Sequence, residues 1–332
     1  MPCRLFFIPL VIAVLLSACN NIQNNSAHTE TADNQQQSLS VQQLDSLIQR
    51  DSLNGKWYSL RAAKYYDNAK FIDAFYDISN ALQINGDNIP DLLLLSDIYF
   101  VLGKTNEAQF ALNKAENIDN QDYTVCYAKG KHYFLVGEFV LADGYLRKSI
   151  KLNPNNPQSY FVLGQMAMLQ NDTTAAIADF QSATQVDNNF IPAYLQLAVV
   201  YMDLNSDLVP QYLDNVLTID KNNSKALFLY GVYFQLKEDY EKAFPLFVSS
   251  FNSDKNNKIA AFNIGYIYLT EKLQFDSAAV WFNKAYQLDE GFNDALYNLG
   301  YCAELSGNTD SANVCYNLLR SHVPDYPLLD NE

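Results

Sequence analysis

Cysteine and histidine, the residues that most often carry chemistry, are few in this sequence and lie far apart. His28, His132 and His322 form no His-x-x-x-His spacing, and no Cys-x-x-Cys pair occurs, so no metal-binding pattern is present in the sequence. The sequence also contains neither a glycine-rich phosphate loop nor a nucleophile elbow. We therefore expect no metal, no cofactor and no enzymatic activity.

The five cysteines fall into two groups along the chain. Cys3 and Cys19 lie in or beside an apolar N-terminal segment, and Cys126, Cys302 and Cys315 lie in the body of the chain. Three cysteines cannot all pair within one chain. Cys302 and Cys315 fall on two successive predicted helices, which leaves two interpretations open: a disulfide formed in an oxidising compartment, or two small residues packed in an apolar core.

Residues 1–18 have the features of a secretory signal peptide. Arg4 precedes the 12-residue apolar run Leu5–Leu16, which is shorter than the roughly 20 residues needed to span a membrane. The run ends in Leu16-Ser17-Ala18-Cys19, which resembles the lipobox of bacterial lipoproteins. The resemblance implies lipidation of Cys19 and membrane attachment through that lipid only; the alternative is an ordinary signal peptide. Asn20, in place of the Asp that retains lipoproteins at the inner membrane, favours the outer membrane, with either leaflet open.

The next segments are predicted to link and cap a folded domain. Residues 19–40 are rich in Asn, Gln, Ser and Thr, which is typical of a disordered tether. Residues 41–54 carry apolar side chains at helical spacing and predict a capping helix. At the other end, the chain after Pro324, including the predicted tail 327–332, is too short for another full helix. The last unit is therefore expected to be poorly capped, with its end either an oligomer contact or frayed.

Eight segments of nearly equal length follow one another without a gap between residues 55 and 326. Their bounds are 55–88, 89–122, 123–156, 157–190, 191–223, 224–257, 258–292 and 293–326. The eighth position of each segment is small: Ala62, Ser96, Gly130, Gly164, Ala198, Gly231, Gly265 and Gly300. Because glycine inside a helix costs about 1 kcal/mol relative to alanine, its recurrence at one position predicts close contact between two helices there.

This pattern resembles the tetratricopeptide repeat, a helix–turn–helix unit of 34 residues. The resemblance implies an all-α fold, a right-handed superhelical solenoid of about eight repeats. It also implies that the first helix of each repeat lines a concave groove, into which positions 2, 5, 6, 9, 12 and 13 usually point.

Aromatic, methionine and asparagine side chains are concentrated at these groove positions. The predicted partner-binding residues are Tyr66, Phe100, Tyr127, Phe134, Phe161, Met168, Met202, Phe228, Phe262, Asn263, Tyr266, Tyr297, Asn298 and Tyr301. An exposed apolar strip with a polar rim marks an interaction site, and the alternative is that several of these side chains pack against neighbouring helices. Replacing Phe161 and Phe228 by Ala is expected to weaken partner capture and leave the helical content intact.

The charge of the chain limits which classes of partner it is expected to bind. The formal net charge of −15 at pH 7 argues against nucleic acid, whose binding depends on Lys and Arg. Basic side chains at the groove positions are also too scattered to grip an acidic tail. The sequence therefore predicts a membrane-anchored adaptor that binds a protein or an extended peptide at the bacterial envelope. The alternative is a homo-oligomeric structural component that uses its convex surface and repeat ends, and the oligomeric state itself is left open.

Overall fold

The chain folds into helices joined by short turns over residues 39–329, the part that the computed structural model describes, and no β-strand occurs in that part. The helices are α1 (Val41–Arg50), α2 (Gly55–Asp67), α3 (Phe71–Asn85), α4 (Ile89–Val101), α5 (Thr105–Ile118), α6 (Tyr123–Leu135), α7 (Phe139–Leu152), α8 (Pro157–Leu169), α9 (Thr173–Val186), α10 (Ile191–Asp203), α11 (Val209–Ile219), α12 (Ser224–Leu236), α13 (Tyr240–Ser253), α14 (Lys258–Thr270), α15 (Phe275–Leu288), α16 (Asn293–Leu305) and α17 (Thr309–His322). The all-α prediction is confirmed. The predicted leader 1–18 and the lipidation site Cys19 lie outside the described residues.

Polar caps and left-handed backbone positions determine where the helices begin and turn. Asn54 and Asp122 cap α2 and α6, because their side chains accept hydrogen bonds from backbone N–H groups of the first turn. The turn inside each helix pair contains one residue with positive φ: Ala69, Gly103, Gly137, Asn171, Asn205, Glu238, Leu273 and Gly307. Each such residue ends one helix and reverses the chain, so the two helices of a pair run antiparallel.

The recurring glycines lie where the two helices of a pair touch. A β-carbon added at Gly164 would lie 2.6 Å from Cε1 of Phe180, and one added at Gly231 would lie 2.7 Å from Cε1 of Phe247. Both rings are fully buried. The close helix contact that the glycines predict is therefore present, and any larger residue would have to displace an aromatic ring.

Replacing Gly164 by Ala should lower the free energy of unfolding by about 1–3 kcal/mol, because the added methyl group overpacks the contact with Phe180. Gly144 provides the control, since it lies inside α7 and a β-carbon there would meet nothing within 4 Å. At protein concentrations too low for self-association, Gly144→Ala should raise stability by about 0.5–1 kcal/mol through helix propensity alone. Urea unfolding of both variants followed by circular dichroism measures the difference; equal effects would contradict the packing explanation.

The chain divides after Pro192 into two compact units. Unit 1 comprises the described residues up to Pro192. Its first helices contact one another in sequence: α2, α4, α6 and α8. Each second helix packs against the first helices on either side of it: α3, α5 and α7. In unit 2, from Ala193 on, the helices pair as α12 with α13, α14 with α15, and α16 with α17. The first helices of unit 1 thus form one continuous face.

Helix α1 packs on the first helix pair and is held there by both apolar and ionic contacts. Leu44 of α1 is fully buried. Arg61 of α2 donates one hydrogen bond to Asp45 of α1 at 2.6 Å and two to the carboxylate of Asp77 in α3, both at 2.7 Å. A single guanidinium group therefore joins the first three helices, and its fork geometry suits this bidentate contact.

The C-terminal segment covers the last helix pair, so the prediction of a poorly covered end was wrong. Tyr326 and Leu329 are buried in a cluster with Leu296, Tyr316 and Leu319. The apolar side chains fold back because the segment is long enough to reach the cluster without forming another helix. None of the helices between residues 39 and 329 is both long enough and apolar enough to cross a membrane.

Candidate protein-binding face

A row of aromatic and polar side chains follows the first helices of unit 1. We call this row the first-helix face and define it by Tyr66, Asp97, Phe100, Tyr127, Lys131 and Met168. All six side chains are half-buried, so they are held in place by their neighbours while part of each remains accessible. Because α2, α4, α6 and α8 touch in sequence, residues one repeat apart are brought side by side.

An ion pair between two of these helices lies within the first-helix face. Nζ of Lys131 donates to Oδ1 of Asp97 at 2.9 Å, and the two side chains are 21% and 27% exposed. Burial alone would lower the pKa of Lys131, but Asp97 outweighs that effect and the pKa is raised overall. Lys131 therefore stays protonated at neutral pH, and its charge is balanced by Asp97.

Two tyrosines flank the ion pair. Burial, with a smaller contribution from Asp97, raises the pKa of Tyr66 to about 12. The hydroxyl oxygen of Tyr127 is buried and has no hydrogen-bond partner within the described part of the chain. A buried polar group left unpaired costs about 1–3 kcal/mol, so a group that enters the face and pairs with this hydroxyl would recover part of that cost.

Four of the predicted partner-binding residues lie in the core instead of at an accessible surface. Phe161 of unit 1 is only 1% exposed, and its ring lies 5.6 Å from the rings of both Phe180 and Phe190. The other three are buried in the same way: Phe134, Met202 and Phe228. Their side chains fill space between helices, which is the alternative that the sequence left open.

The remaining predicted residues of unit 2 are half-buried: Phe262, Asn263, Tyr266, Tyr297, Asn298 and Tyr301. The ring of Phe262 contacts those of Phe282 and Phe292 at 5.2 Å and 5.1 Å between centroids. Tyr297 and Tyr301 stack with an interplanar angle of 9° at 6.3 Å. Aromatic packing therefore holds these side chains in fixed positions on α14 and α16.

The two asparagines are oriented by their own helices. Nδ2 of Asn263 donates to the carbonyl oxygen of Ile259 at 2.9 Å, and Nδ2 of Asn298 donates to that of Asp294 at 2.7 Å. A carboxamide has two N–H donors and one acceptor oxygen. Each asparagine therefore retains an oxygen and one N–H that can bind a peptide group.

Sequence reasoning missed Asp97 and the role of Lys131. The two residues are 34 positions apart and occupy the same place in consecutive repeats. The sequence did contain a signal for this pair: an acidic and a basic residue one repeat length apart. Equivalent positions on adjacent first helices are neighbours, so opposite charges there predict an ion pair. Lys131 was considered only as part of a clamp for an acidic tail, and its pairing with Asp97 shows why it does not supply one.

Within residues 39–329 no three His, Cys, Asp or Glu side chains are grouped so that they could hold a metal ion. The three cysteines of this region, Cys126, Cys302 and Cys315, are free thiols. Burial raises the pKa of the Cys302 thiol to about 12, which disfavours the reactive thiolate.

Two family models described as "Tetratricopeptide repeat" match residues 92–122 and 127–189. Among curated proteins, the chain is 27% identical over 145 residues to the BBSome complex member BBS4 of Bos taurus, which covers 43% of this chain and 28% of that protein. It is 20% identical over 281 residues to the mitochondrial import receptor subunit TOM70 of Homo sapiens, covering 80% of this chain and 46% of that protein. The chain thus spans less than half the length of either relative.

A solved structure shares the fold over most of the chain. The crystal structure of the APC/C hetero-tetramer Cut9-Hcn1 superposes with a TM-score of 0.57 at 18% identity, covering 87% of this chain and 57% of that one. At this identity the likeness concerns the fold alone. The matched family models, together with the successive helix pairs, show that this chain contains tetratricopeptide repeats.

Proposed function

We propose that this chain is a protein-binding adaptor that holds an extended segment of a partner polypeptide on the first-helix face of unit 1. The observation that carries this proposal is the half-buried row of aromatic side chains around the Asp97–Lys131 pair, displayed by four first helices in contact. Such a row offers rigid apolar area together with a few fixed polar groups, the combination that dominates binding energy at protein interfaces.

The chemistry of the face favours a neutral peptide segment over an acidic tail. Asp97 already balances the charge of Lys131, so a carboxylate entering beside the pair would be repelled by Asp97 as much as it is attracted by Lys131. A backbone carbonyl carries no such penalty and can accept a hydrogen bond from the ammonium group of Lys131. The aromatic rings of Tyr66 and Phe100 then pack against apolar side chains of the peptide.

Unit 2 offers a second set of groups of the same kind. Asn263 and Asn298 occupy equivalent positions on α14 and α16, and their carboxamides are fixed by hydrogen bonds to their own backbones. Each can donate to and accept from one peptide group, which suits recognition of a main chain more than of a particular sequence. We propose that unit 2 also holds peptide through these groups, independently of unit 1.

The names of two relatives are consistent with an adaptor, although another relative, TMTC3 of Homo sapiens, is named as a protein O-mannosyl-transferase. TOM70 is named as an import receptor subunit and BBS4 as a member of a complex, and both names describe proteins that work by associating with others. The tetratricopeptide-repeat fold itself is suited to protein–protein interaction. We propose the same class of function here, with no catalytic step.

Replacing Tyr66 and Phe100 together by Ala should weaken partner binding by tenfold or more, because loss of an aromatic anchor at an interface costs 1–2 kcal/mol or more. The partner is recovered with the full-length tagged chain from crosslinked native envelopes and quantified by mass spectrometry. Val280→Ser combined with Val314→Ser is the control, since these side chains are 66% and 67% exposed on second helices. Equal recovery by both double variants would overturn the proposed face.

We further propose that the adaptor is held at the bacterial outer membrane by lipid on Cys19. The support is the sequence Leu16-Ser17-Ala18-Cys19 after an apolar run, followed by Asn20. Several acyl chains hold a protein stably, because each buried CH₂ contributes about 0.8 kcal/mol.

Cys19→Ala should therefore move the protein from the membrane fraction to the soluble fraction after cell lysis. Fractionation and immunoblotting measure the distribution, and Cys126→Ala serves as the control for loss of a different thiol. A Cys19→Ala chain that stays with the membrane would rule out the lipid anchor without bearing on the first-helix face.

A further inference from the structure

Large apolar side chains recur on the solvent side of the second helices of unit 1. Ile72 and Tyr76 of α3 are 56% and 64% exposed, Phe110 of α5 is 64% exposed, and Val140 of α7 is 88% exposed. Single exposed apolar residues need no explanation. These four, however, occupy only two helical positions, the second and the sixth residue of helices that begin 34 residues apart at Phe71, Thr105 and Phe139.

Gly144 occupies the sixth position of α7, where α3 has Tyr76 and α5 has Phe110. A β-carbon on Gly144 would meet nothing within 4 Å, in contrast to Gly130 on the facing helix, whose β-carbon would lie 2.6 Å from Leu146. Glycine weakens a helix relative to alanine, and no contact inside this chain requires it here. The residue leaves an open notch beside the most exposed valine of unit 1.

The three helices are self-complementary under a two-fold rotation. Successive helices alternate in direction, so α3, α5 and α7 run the same way. A two-fold axis that runs parallel to α5 and lies between the two copies places α3 of one copy on α7 of the other with equal helical positions opposed, as an isologous interface requires. Tyr76 then fills the notch at Gly144 of the second copy, Ile72 meets Val140, and Phe110 meets its own equivalent at the axis.

Charge supports the same arrangement. Lys70 and Glu138 immediately precede α3 and α7 at equivalent positions, and both are exposed. The rotation brings Lys70 of one copy opposite Glu138 of the other, twice per dimer, and brings the exposed Lys104, which precedes α5, opposite its own equivalent once. The two attractive pairs outweigh the one repulsive pair. If α3 of one copy packed on α3 of the other, each Lys70 would face no acidic residue at the equivalent position. The notch at Gly144 would also stay empty.

We propose that the chain forms a two-fold dimer through α3, α5 and α7 of unit 1, with Tyr76 of each copy seated over Gly144 of the other. The proposal does not depend on the peptide-binding face, because it uses the second helices and leaves the first helices accessible. The proposed dimer therefore carries two copies of the first-helix face.

Disulfide trapping in native membranes tests the pairing with the full-length chain. Two differently tagged chains are coexpressed, one with Tyr76→Cys and the other with Gly144→Cys, and the parent chain measures the background from native cysteines. We expect crosslinking between the unlike chains, little between like chains, and self-crosslinking of a Phe110→Cys chain. Crosslinking of the Tyr76→Cys chain mainly with itself, or none above background, would overturn the proposal.

Sedimentation of the protein in mild detergent provides a second measurement that does not rely on added thiols. Phe110→Glu places two carboxylates together at the axis and should weaken the dimer at least tenfold, which shifts the protein to monomer at micromolar concentration. Val280→Glu, at a side chain 66% exposed in unit 2, should leave the dimer intact. A parent chain that is monomeric at these concentrations would contradict the proposal, as would equal effects of the two variants.

Discussion

Phe161→Ala should lower the free energy of unfolding of unit 1 by about 3–5 kcal/mol, the usual cost of removing a buried phenylalanine ring. The ring is 1% exposed and lies against Phe180 and Phe190, so its removal leaves a cavity between α8, α9 and the segment that follows. Because repeat arrays unfold in parts, hydrogen exchange of α8 and α9 should accompany the urea titration. Exchange in those two helices should accelerate most.

Leu169→Ala is the control, because it truncates a large apolar side chain on the same helix, α8, that is 59% exposed. Its effect on stability should stay within about 0.5 kcal/mol. The sequence had suggested that Phe161 binds the partner and that its removal leaves the helices intact. A stable Phe161→Ala chain that loses partner binding would restore that interpretation and contradict the structure.

Lys129→Met should lower stability by about 1–3 kcal/mol, because it removes the buried partner of Glu116, a carboxylate that is itself 26% exposed. The Lys129 side chain is 4% exposed; its ammonium group donates to Glu116 and, at 3.0 Å, to Asn113. It also lies 4.8 Å from the centroid of the Tyr145 ring, and the Tyr145 hydroxyl donates to Glu116 at 3.1 Å. One lysine thus connects α5, α6 and α7.

The pH dependence of this effect has a definite sign. Burial alone would raise the pKa of Glu116, but the hydrogen bond from Lys129 outweighs it and the pKa is lowered overall. A carboxylate with a lowered folded-state pKa adds stability above its unfolded pKa, and that stability is lost as pH falls through the folded value. The difference between parent and Lys129→Met should therefore shrink in acid.

Lys237→Met provides the control for the loss of a lysine charge. Its ion pair with Asp207 is solvent-exposed, with side chains 47% and 85% accessible, and such pairs add little to stability. Urea midpoints of the two variants should differ clearly at pH 7. If Lys129→Met is no less stable than Lys237→Met, the buried network is not a stability determinant.

The fold was predictable from the sequence because the tetratricopeptide repeat is defined by small and large residues at fixed positions of a 34-residue unit. Gly164 and Phe180 lie at fixed positions of one repeat, and steric contact between two adjacent helices depends only on residues within that repeat. The covering of the last pair by Tyr326 and Leu329 was not predictable in the same way, because it depends on an irregular segment that follows no period.

The candidate site was harder to predict, since a groove position does not by itself determine exposure. Phe161 and Tyr127 both occupy the fifth position of their repeats, yet Phe161 is buried because Phe190 reaches its ring from the following turn. The importance of Asp97 depended on a lysine one repeat later. Contacts that the repeat spacing does not specify, within one repeat for Phe161 and between two repeats for Asp97, therefore determine which groove residues a partner can reach.

Site-specific photocrosslinking in the native cells tests the proposed binding role most directly. A photoreactive residue is placed in turn at Tyr66, Phe100 and Met168 of the first-helix face, and at Val280 and Val314 as controls. We expect one discrete adduct to the same partner polypeptide from the three face positions and none from the controls. Adducts only at Val280 and Val314, or none at any face position, would contradict the adaptor function proposed for this protein.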